Sequence, residues 1–209
     1  MTDSWPPSNG LCSPTVPRKD AIFQTPASIR INAPASLVFD IVLRTADYPQ
    51  WNSFVPKVDI LEQPDSSQGK SVMQVGSVMH FFVVMDSSKP DKFQETGLQV
   101  TDISTPDKPS EYISPEDLAD TSYTSDLSKV YRVSWKQHGG FASRGLKTER
   151  FHEIIILGEE ECELRTWEVY GGLLAHTVKW MYKQTLIDKF QLWSDDLKKF
   201  AEKKASEAA

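Results

Sequence analysis

The chain has 209 residues, which is enough for one well-packed domain and too few for two domains of typical size. Hydrophobic residues make up 39% and charged residues 25% of the sequence, and these ordinary values exclude a chain that is disordered throughout. The formal net charge is −6. This acidic balance argues against nucleic acid as a partner and against an anionic membrane surface, because both need a basic patch.

The sequence carries no pattern typical of a metal site, a nucleotide site or a membrane span. Its two cysteines, Cys12 and Cys162, are far apart, and its four histidines lack the spacing of metal ligands. There is no Gly-x-Ser-x-Gly elbow, phosphate-binding loop or dinucleotide fingerprint. No apolar run reaches the length of about 18 residues that crosses a bilayer, and the N-terminus has no signal pattern. We therefore expect no metal, no cofactor, no stable membrane insertion and a cytoplasmic location.

One domain is predicted between two tails. Residues 1–25 are polar and rich in proline, and we predict a disordered tail because such a segment cannot bury enough apolar surface to order itself. Residues 26–204 are predicted to form the domain, and residues 205–209 a second disordered tail. The segment at 105–129 is an unusually long, acidic connection, which we interpret as either a lid over a binding site or an unstructured insertion.

The first part of the domain is predicted to be mostly β-sheet. Residues 27–32 alternate as a strand does, Pro34 suits the first turn of a helix, and residues 47–52 form a turn or a second short helix. Six further segments are rich in β-branched and aromatic residues. These predicted strands are 55–61, 77–85, 98–104, 130–137, 147–157 and 161–170. Because no helical crossover separates them, we expect antiparallel pairing.

A single long helix is predicted over residues 173–203. Its apolar side chains recur at steps of four and three residues, which is typical of a helix with one buried face. This stripe comprises Leu186, Phe190, Trp193, Leu197 and Phe200, and Val178 and Met181 continue it upstream. The concave face of the sheet is the only candidate partner surface of sufficient size. A curved sheet around one helix leaves a cavity wherever side chains do not fill the gap.

Three stretches resemble the START-like helix-grip superfamily. Residues 31–39 resemble its opening of strand, Ala-Pro and helix, and the Tyr-Pro-Gln-Trp-Asn at 48–52 looks like its next connection. Residues 149–151 and 166–172 resemble its last hairpin. The similarity is greatest to the polyketide cyclase/dehydrase and coenzyme-Q-binding branch, in a form typical of fungi. It implies an α+β helix-grip fold (START/Bet v 1-like), in which a curved sheet of six to seven strands wraps around the C-terminal helix after two short helices.

The cavity wall of such a fold is predicted from strand alternation. Tyr131, Val133 and Trp135 share one face of their strand, which we assign to the cavity. On the next strand we expect Phe151 to point inward. The other predicted wall residues are Trp51, Phe81, Val178 and Met181.

Four polar residues are candidates for chemistry in the cavity. The resemblance favours Glu168 and Tyr170 facing inward, and Glu149 is expected inside beside Phe151. A buried carboxyl group would have a raised pKa and serve as a general base, while Tyr170 or Arg165 would polarise a ligand carbonyl. The alternative is that Glu149 and Arg150 pair with cross-strand neighbours such as Arg165 and do no chemistry.

Three functions are consistent with these features. A polyketide cyclase would hold a flexible hydrophobic poly-β-keto chain for cofactor-free aldol, lactone or pyrone closure, with a polyketide synthase as partner. A carrier would hold a lipid, sterol or quinone in the same cavity without turnover. A protein-interaction module would need an exposed apolar patch. The resemblance and the lack of cofactor motifs favour the cyclase.

Overall fold

A seven-stranded antiparallel sheet frames the structure, a computed structural model that describes residues 5–65, 69–140 and 144–208. The strands are β1 (Ala21–Ile31), β2 (Lys57–Glu62), β3 (Val78–Val83), β4 (Gln94–Ser104), β5 (Val130–Gln137), β6 (Lys147–Gly158) and β7 (Glu161–Gly171). The helices are α1 (Ala35–Leu43), α2 (Tyr48–Trp51), α3 (Pro115–Leu118) and α4 (Leu174–Ala208). The strand order is β1-β7-β6-β5-β4-β3-β2, and α4 packs on the inner face. The predicted helix-grip α+β architecture is therefore confirmed.

The long helix α4 packs closely against the sheet only over its second half. Phe190, Trp193, Leu197 and Ala201 are buried there with the side chains of β1, α1 and α2. Toward the N-terminus the helix presents Val178, Tyr182 and Leu186, and these side chains do not fill the space to the sheet face opposite. The gap that remains between the two surfaces is the cavity described below.

The C-terminal end of α4 extends beyond its predicted limit. The prediction of disorder at 205–209 is wrong for residues 205–208, because the helix continues to Ala208; the last residue lies outside the described part. Alanine, glutamate and lysine dominate this end, and all three favour helix. Lys203 and Glu207, one turn apart, also form an ion pair at 3.7 Å.

The outer face of the sheet is covered by residues 5–20 and 105–129, which we call the outer cover. Its buried apolar side chains pack against apolar side chains of the sheet, and the cluster comprises Leu11, Val16, Ile113 and Tyr123 of the cover with Phe151, Trp167 and Val169 of β6 and β7. Phe151 and Trp167 stack on the sheet with ring centroids 5.1 Å apart, and the outer cover removes both from water. This layer forms because the outer face is itself apolar and needs a partner.

The outer cover corrects two predictions from the sequence. The disordered tail predicted at 1–25 is wrong from residue 5 onward, because residues 5–20 pack on the sheet and β1 begins at Ala21; residues 1–4 lie outside the described part. The segment 105–129 is neither a lid nor an unstructured insertion. It contains α3 and lies on the face opposite α4, so it does not close the cavity.

Buried carboxylates fix the outer cover to the sheet. Glu149 accepts hydrogen bonds from the backbone N of Thr15 at 2.9 Å and the hydroxyl of Tyr112 at 2.7 Å, and so ties both segments to β6. Glu153 forms a buried ion pair with Arg132 at 2.7 Å. Each of these carboxylates has protein partners, as a buried charge requires.

We predict that Leu11→Ala lowers the free energy of unfolding by about 2–5 kcal/mol, the usual cost of truncating a buried leucine. Leu11 is 0% exposed and lies in a segment that a disordered tail would leave in water. The measurement is urea unfolding followed by tryptophan fluorescence. Leu61→Ala is the matched control, because Leu61 is 44% exposed and its truncation is expected to cost much less. Equal effects of the two variants would contradict the packed position of residues 5–20.

Candidate functional site

A cavity of ≈ 450 Å³ lies between the inner face of the sheet and the first half of α4. Its apolar wall includes Phe54, Phe81, Leu98, Trp135, Val178, Leu186 and Phe190. Glu95, Gly139 and Gly140 line one end and are exposed, so the cavity reaches the surface there. The volume lies within the range of about 300–1,000 Å³ that is usual for small-molecule sites.

Glu168 and Tyr170 bring a carboxyl and a phenol to the wall of the cavity. They share the inner face of β7, and the Tyr170 hydroxyl donates a hydrogen bond to Glu168 Oε2 at 2.7 Å. The Tyr170 ring is held in place by stacking on Phe23, with ring centroids 4.1 Å apart. Burial raises the pKa of Glu168, and this effect outweighs Tyr170, Arg150 and Thr148, which all favour the ionised form. Glu168 is half-buried because it borders the cavity.

Arg150 supplies a positive charge to the same wall. It lies directly opposite Glu168 on β6, and its side chain is almost wholly buried. Its guanidinium group lies over the rings of Phe190 and Trp193, at 3.8 and 4.9 Å from the ring centroids. Burial lowers the pKa of Arg150 to about 10, so the group stays charged at neutral pH.

His152, two residues after Arg150, is a packing residue. Its ring lies between Trp135 and Trp193, with centroid distances of 4.5 and 4.6 Å. Burial, and then the nearby charge of Arg150, hold the pKa of His152 well below its usual value. The imidazole is therefore neutral at physiological pH, and it does not line the cavity.

Of the four predicted catalytic residues, the structure brings Glu168 and Tyr170 together and places Glu149 and Arg165 elsewhere. Glu149 lies on the outer face, where it binds the outer cover. Arg165 also lies outside, where it pairs with Glu163 at 2.9 Å. The predictions that Glu149 or Arg165 reaches the cavity are therefore wrong.

The assignment of Phe151 to the cavity explains the error on β6. Arg150 pairs with Glu168, whereas Phe151 pairs with Trp167 on the outer face. The outer face is apolar as well, so the aromatic ring of Phe151 does not identify the inner face of the strand. Because a choice of one residue decides every side chain of a strand, placing Phe151 inside also placed Glu149 inside and Arg150 outside.

Some of the predicted wall residues line the cavity, and others lie elsewhere in the structure. Trp135, Phe81 and Val178 line the cavity. Val133 and Trp51 belong to the solid core, where Trp51 packs edge-on against Trp193 at 5.5 Å.

Three other predicted wall residues lie away from the cavity in the structure, so these predictions are wrong. Tyr131 packs against Phe39 of α1, with ring centroids 5.1 Å apart. Phe151 is in the outer layer. Met181 is wrong as a wall residue, because it is 51% exposed and Tyr182 takes the cavity position on α4.

The sequence interpretation missed several cavity residues, of which Arg150 and Tyr182 bear most on the chemistry of the site. Pairing the predicted strands 147–157 and 161–170 across their turn places Arg150 opposite Glu168, and this register would have found it. Tyr182 would have been found by stepping back from Leu186 and Phe190 in intervals of four residues, which give Tyr182 and Val178.

The described residues show neither a metal centre nor a helix suited to a bilayer. Within 5–65, 69–140 and 144–208, no group of histidine, cysteine, aspartate and glutamate side chains is arranged to hold a metal ion. Among the helices of those residues, none is both long and apolar enough to cross a membrane.

Comparison with solved structures supports the fold. A START superfamily protein from Mycobacterium smegmatis superposes with a TM-score of 0.57, at 16% identity, over 89% of this chain and 99% of that protein. Norcoclaurine synthase from Thalictrum flavum superposes with a TM-score of 0.53, at 10% identity, over 87% of this chain and 88% of the synthase. At these identities the likeness concerns the fold alone.

Sequence comparison identifies the family. The family described as polyketide cyclase / dehydrase and lipid transport matches residues 31–151. A fungal protein, oxopyrrolidines biosynthesis cluster protein O from Penicillium oxalicum, is 31% identical over 199 residues, which cover 92% of this chain and 93% of that protein. The match extends over more than half of the chain and agrees with the helix-grip fold, so the protein belongs to the polyketide cyclase/dehydrase and lipid transport family.

Proposed function

We propose that the protein is a cofactor-independent cyclase that binds a small hydrophobic polyketide-derived chain in the cavity and closes a ring in it. The observation that carries this proposal is Glu168, a desolvated carboxyl group with a raised pKa, hydrogen-bonded to Tyr170 in the wall of the cavity. The family and the biosynthetic role in the name of the Penicillium relative support it. Perturbed carboxyl groups in a cleft are typical of acid–base sites.

The chemistry assigned to Glu168 is transfer of a proton within the bound chain. The carboxylate removes a proton from a methylene that lies between two carbonyl groups, and the enolate carbon attacks another carbonyl of the same chain. A carbon–carbon bond forms, and the carbonyl π bond becomes an alkoxide. Protonated Glu168 then returns the proton to that oxygen, so the ring closes as an aldol without net loss of atoms. A base whose pKa is shifted toward neutrality is efficient at both steps.

Tyr170 and the cavity wall assist by positioning. The hydroxyl of Tyr170 donates to Glu168 and orients its carboxyl group toward the cavity. Burial and the adjacent carboxyl group raise the pKa of Tyr170 well above its usual value, so the phenol keeps its proton. The aromatic wall holds a flexible chain in a folded conformation, and such positioning contributes on the order of 7–11 kcal/mol in ideal intramolecular reactions.

A carrier of a hydrophobic small molecule is the second candidate. It is favoured by the wall itself, in which apolar side chains such as Phe81, Leu98 and Trp135 outnumber the polar ones. In a carrier Glu168 would be part of the cavity wall without a catalytic role. The two functions therefore differ in whether the bound molecule is converted to a product.

We predict that Glu168→Gln lowers the rate of ring closure by about 10²–10⁴-fold, the usual contribution of a general base. The assay would follow cyclised product from short poly-β-keto thioesters by chromatography. Glu149→Gln is the matched control, because it makes the same change on the paired strand but on the outer face. It is expected to lower thermal stability and to keep most of the activity. Wild-type protein that binds the thioesters without accelerating closure would contradict the cyclase and leave the carrier.

We predict that Glu168→Gln raises the melting temperature at pH 8 and changes it little at pH 4. The pKa of Glu168 is raised in the folded state, so ionisation opposes folding; the cost begins above the unfolded-state pKa and is complete above the folded-state pKa. Glutamine removes this cost and still accepts the hydrogen bond from Tyr170. Differential scanning fluorimetry between pH 4 and pH 8 measures this difference in melting temperature. Glu62→Gln is the control, because it removes the same charge from an exposed position. A stabilisation that is independent of pH would contradict the buried, ionisable state of Glu168.

A further inference from the structure

We infer that the cavity recognises an anionic oxygen of its ligand through Arg150, and that the ligand is therefore an organic acid: a carboxylate or the enolate of an acidic 1,3-dicarbonyl compound. This inference rests on the cavity of the proposed function, but it holds equally for an enzyme and a carrier. Arg150 is the only cationic residue among the described residues that line the cavity.

The hydrogen bonds of Arg150 are incomplete. Its side chain is 5% exposed, and Nε donates to Thr166 Oγ1 at 3.3 Å, which is the one hydrogen bond that the guanidinium makes within the described residues. Nη2 is buried without a partner. An arginine has five N–H donors, and leaving buried donors unused is costly, above all on a charged group.

Arg132, also buried in the sheet, shows how this fold satisfies the hydrogen-bond donors of a buried arginine. Arg132 is 1% exposed on the outer face, and its Nε and Nη2 both donate to Glu153 Oε1, at 3.0 and 2.7 Å. Nη2 also donates to the carbonyl oxygen of Thr124. The fold thus supplies a carboxylate to one buried arginine and leaves the other, which borders the cavity, without one.

Glu168 is not the hydrogen-bonding carboxylate partner of Arg150. It lies opposite Arg150 but acts on it only through its charge, without a hydrogen bond, and its carboxyl group is engaged by Tyr170. The guanidinium therefore receives no hydrogen-bonding carboxylate from the inner wall among the described residues. Packing on Phe190 and Trp193 holds the guanidinium plane in place, so that it is pre-organised for a planar anion.

The ligand class follows from this charge. A neutral ketone, ester or sterol would cover the cavity wall but would leave the Arg150 charge without a counter-ion. A carboxylate or a delocalised 1,3-dicarbonyl enolate presents two coplanar oxygens, which suit the forked guanidinium group. The acidic end is placed beside Arg150 and Glu168, and the apolar remainder lies along Phe81, Trp135 and Leu186.

The test compares an acid with its neutral methyl derivative. The probes are 2-octanoylcyclohexane-1,3-dione, which has an acidic enol, and its enol methyl ether, which does not ionise. Binding to the full chain is measured by calorimetry at pH 7.5. We expect wild type to bind the acid at least about 10-fold more tightly than the ether, as a charge-assisted hydrogen bond provides. Arg150→Gln is expected to bind both equally, and Arg150→Lys to keep part of the preference.

The controls separate this inference from the cyclase. Lys183→Gln removes an exposed charge from α4 and is expected to keep the full preference for the acid. Glu168→Gln is expected to keep it as well, even though the proposed turnover is lost. If Arg150→Gln does not fold, the wild-type comparison alone decides. Equal affinity of wild type for acid and ether, or an unchanged preference in Arg150→Gln, would overturn the inference, whatever the outcome of the turnover assay.

Discussion

The unequal packing of α4 on the sheet is the constraint on which the site depends. From Phe190 onward the helix carries large side chains that fill the space to the sheet, and this half holds the fold together. Nearer its start, Val178 and Tyr182 do not reach across, and the gap remains as the cavity. A protein interior is otherwise filled to the density of an organic crystal. A cavity of ≈ 450 Å³ is therefore a feature that the fold maintains, with the tightly packed half of α4 supporting its floor.

Burial of the sheet on both faces then decides the state of its charged groups. On the outer face Glu149 and Glu153 are buried with full sets of protein partners, and they act as structural anchors. On the inner face Arg150 is buried and Glu168 half-buried, both with fewer hydrogen-bond partners, and desolvation disfavours the charged form of each. Glutamate and arginine residues therefore have a structural role on the outer face of the sheet and border the cavity on the inner face. The proposed reactivity and the inferred affinity for an acid both come from this incomplete satisfaction at the cavity wall.

The fold could be predicted from the sequence because its signals are local. The stripe on α4, the alternation of β5 and the Ala-Pro opening of α1 each appear within a few residues. The inner position of Glu168 and Tyr170 also agreed with prediction, because β7 alternates in a way that the family resemblance could orient. On β6 residues 148–154 are all buried, so both faces of the strand are covered and the apolar ring of Phe151 did not identify the inner one. Disorder was predicted for residues 5–20 because the segment has few apolar residues of its own. Leu11 and Val16 become buried only by contact with the apolar outer face of the sheet, which is distant in sequence.

The pKa of Glu168 is the quantity that tests this account most directly. It can be measured by following the side-chain carboxyl ¹³C resonance through a pH titration, with Glu168→Gln to assign the signal. The account predicts a midpoint above the usual glutamate value of about 4.3. A midpoint at or below that value would mean that Arg150 and Tyr170 outweigh burial. Glu168 would then be an ordinary carboxylate, and its proposed role as a general base would be contradicted.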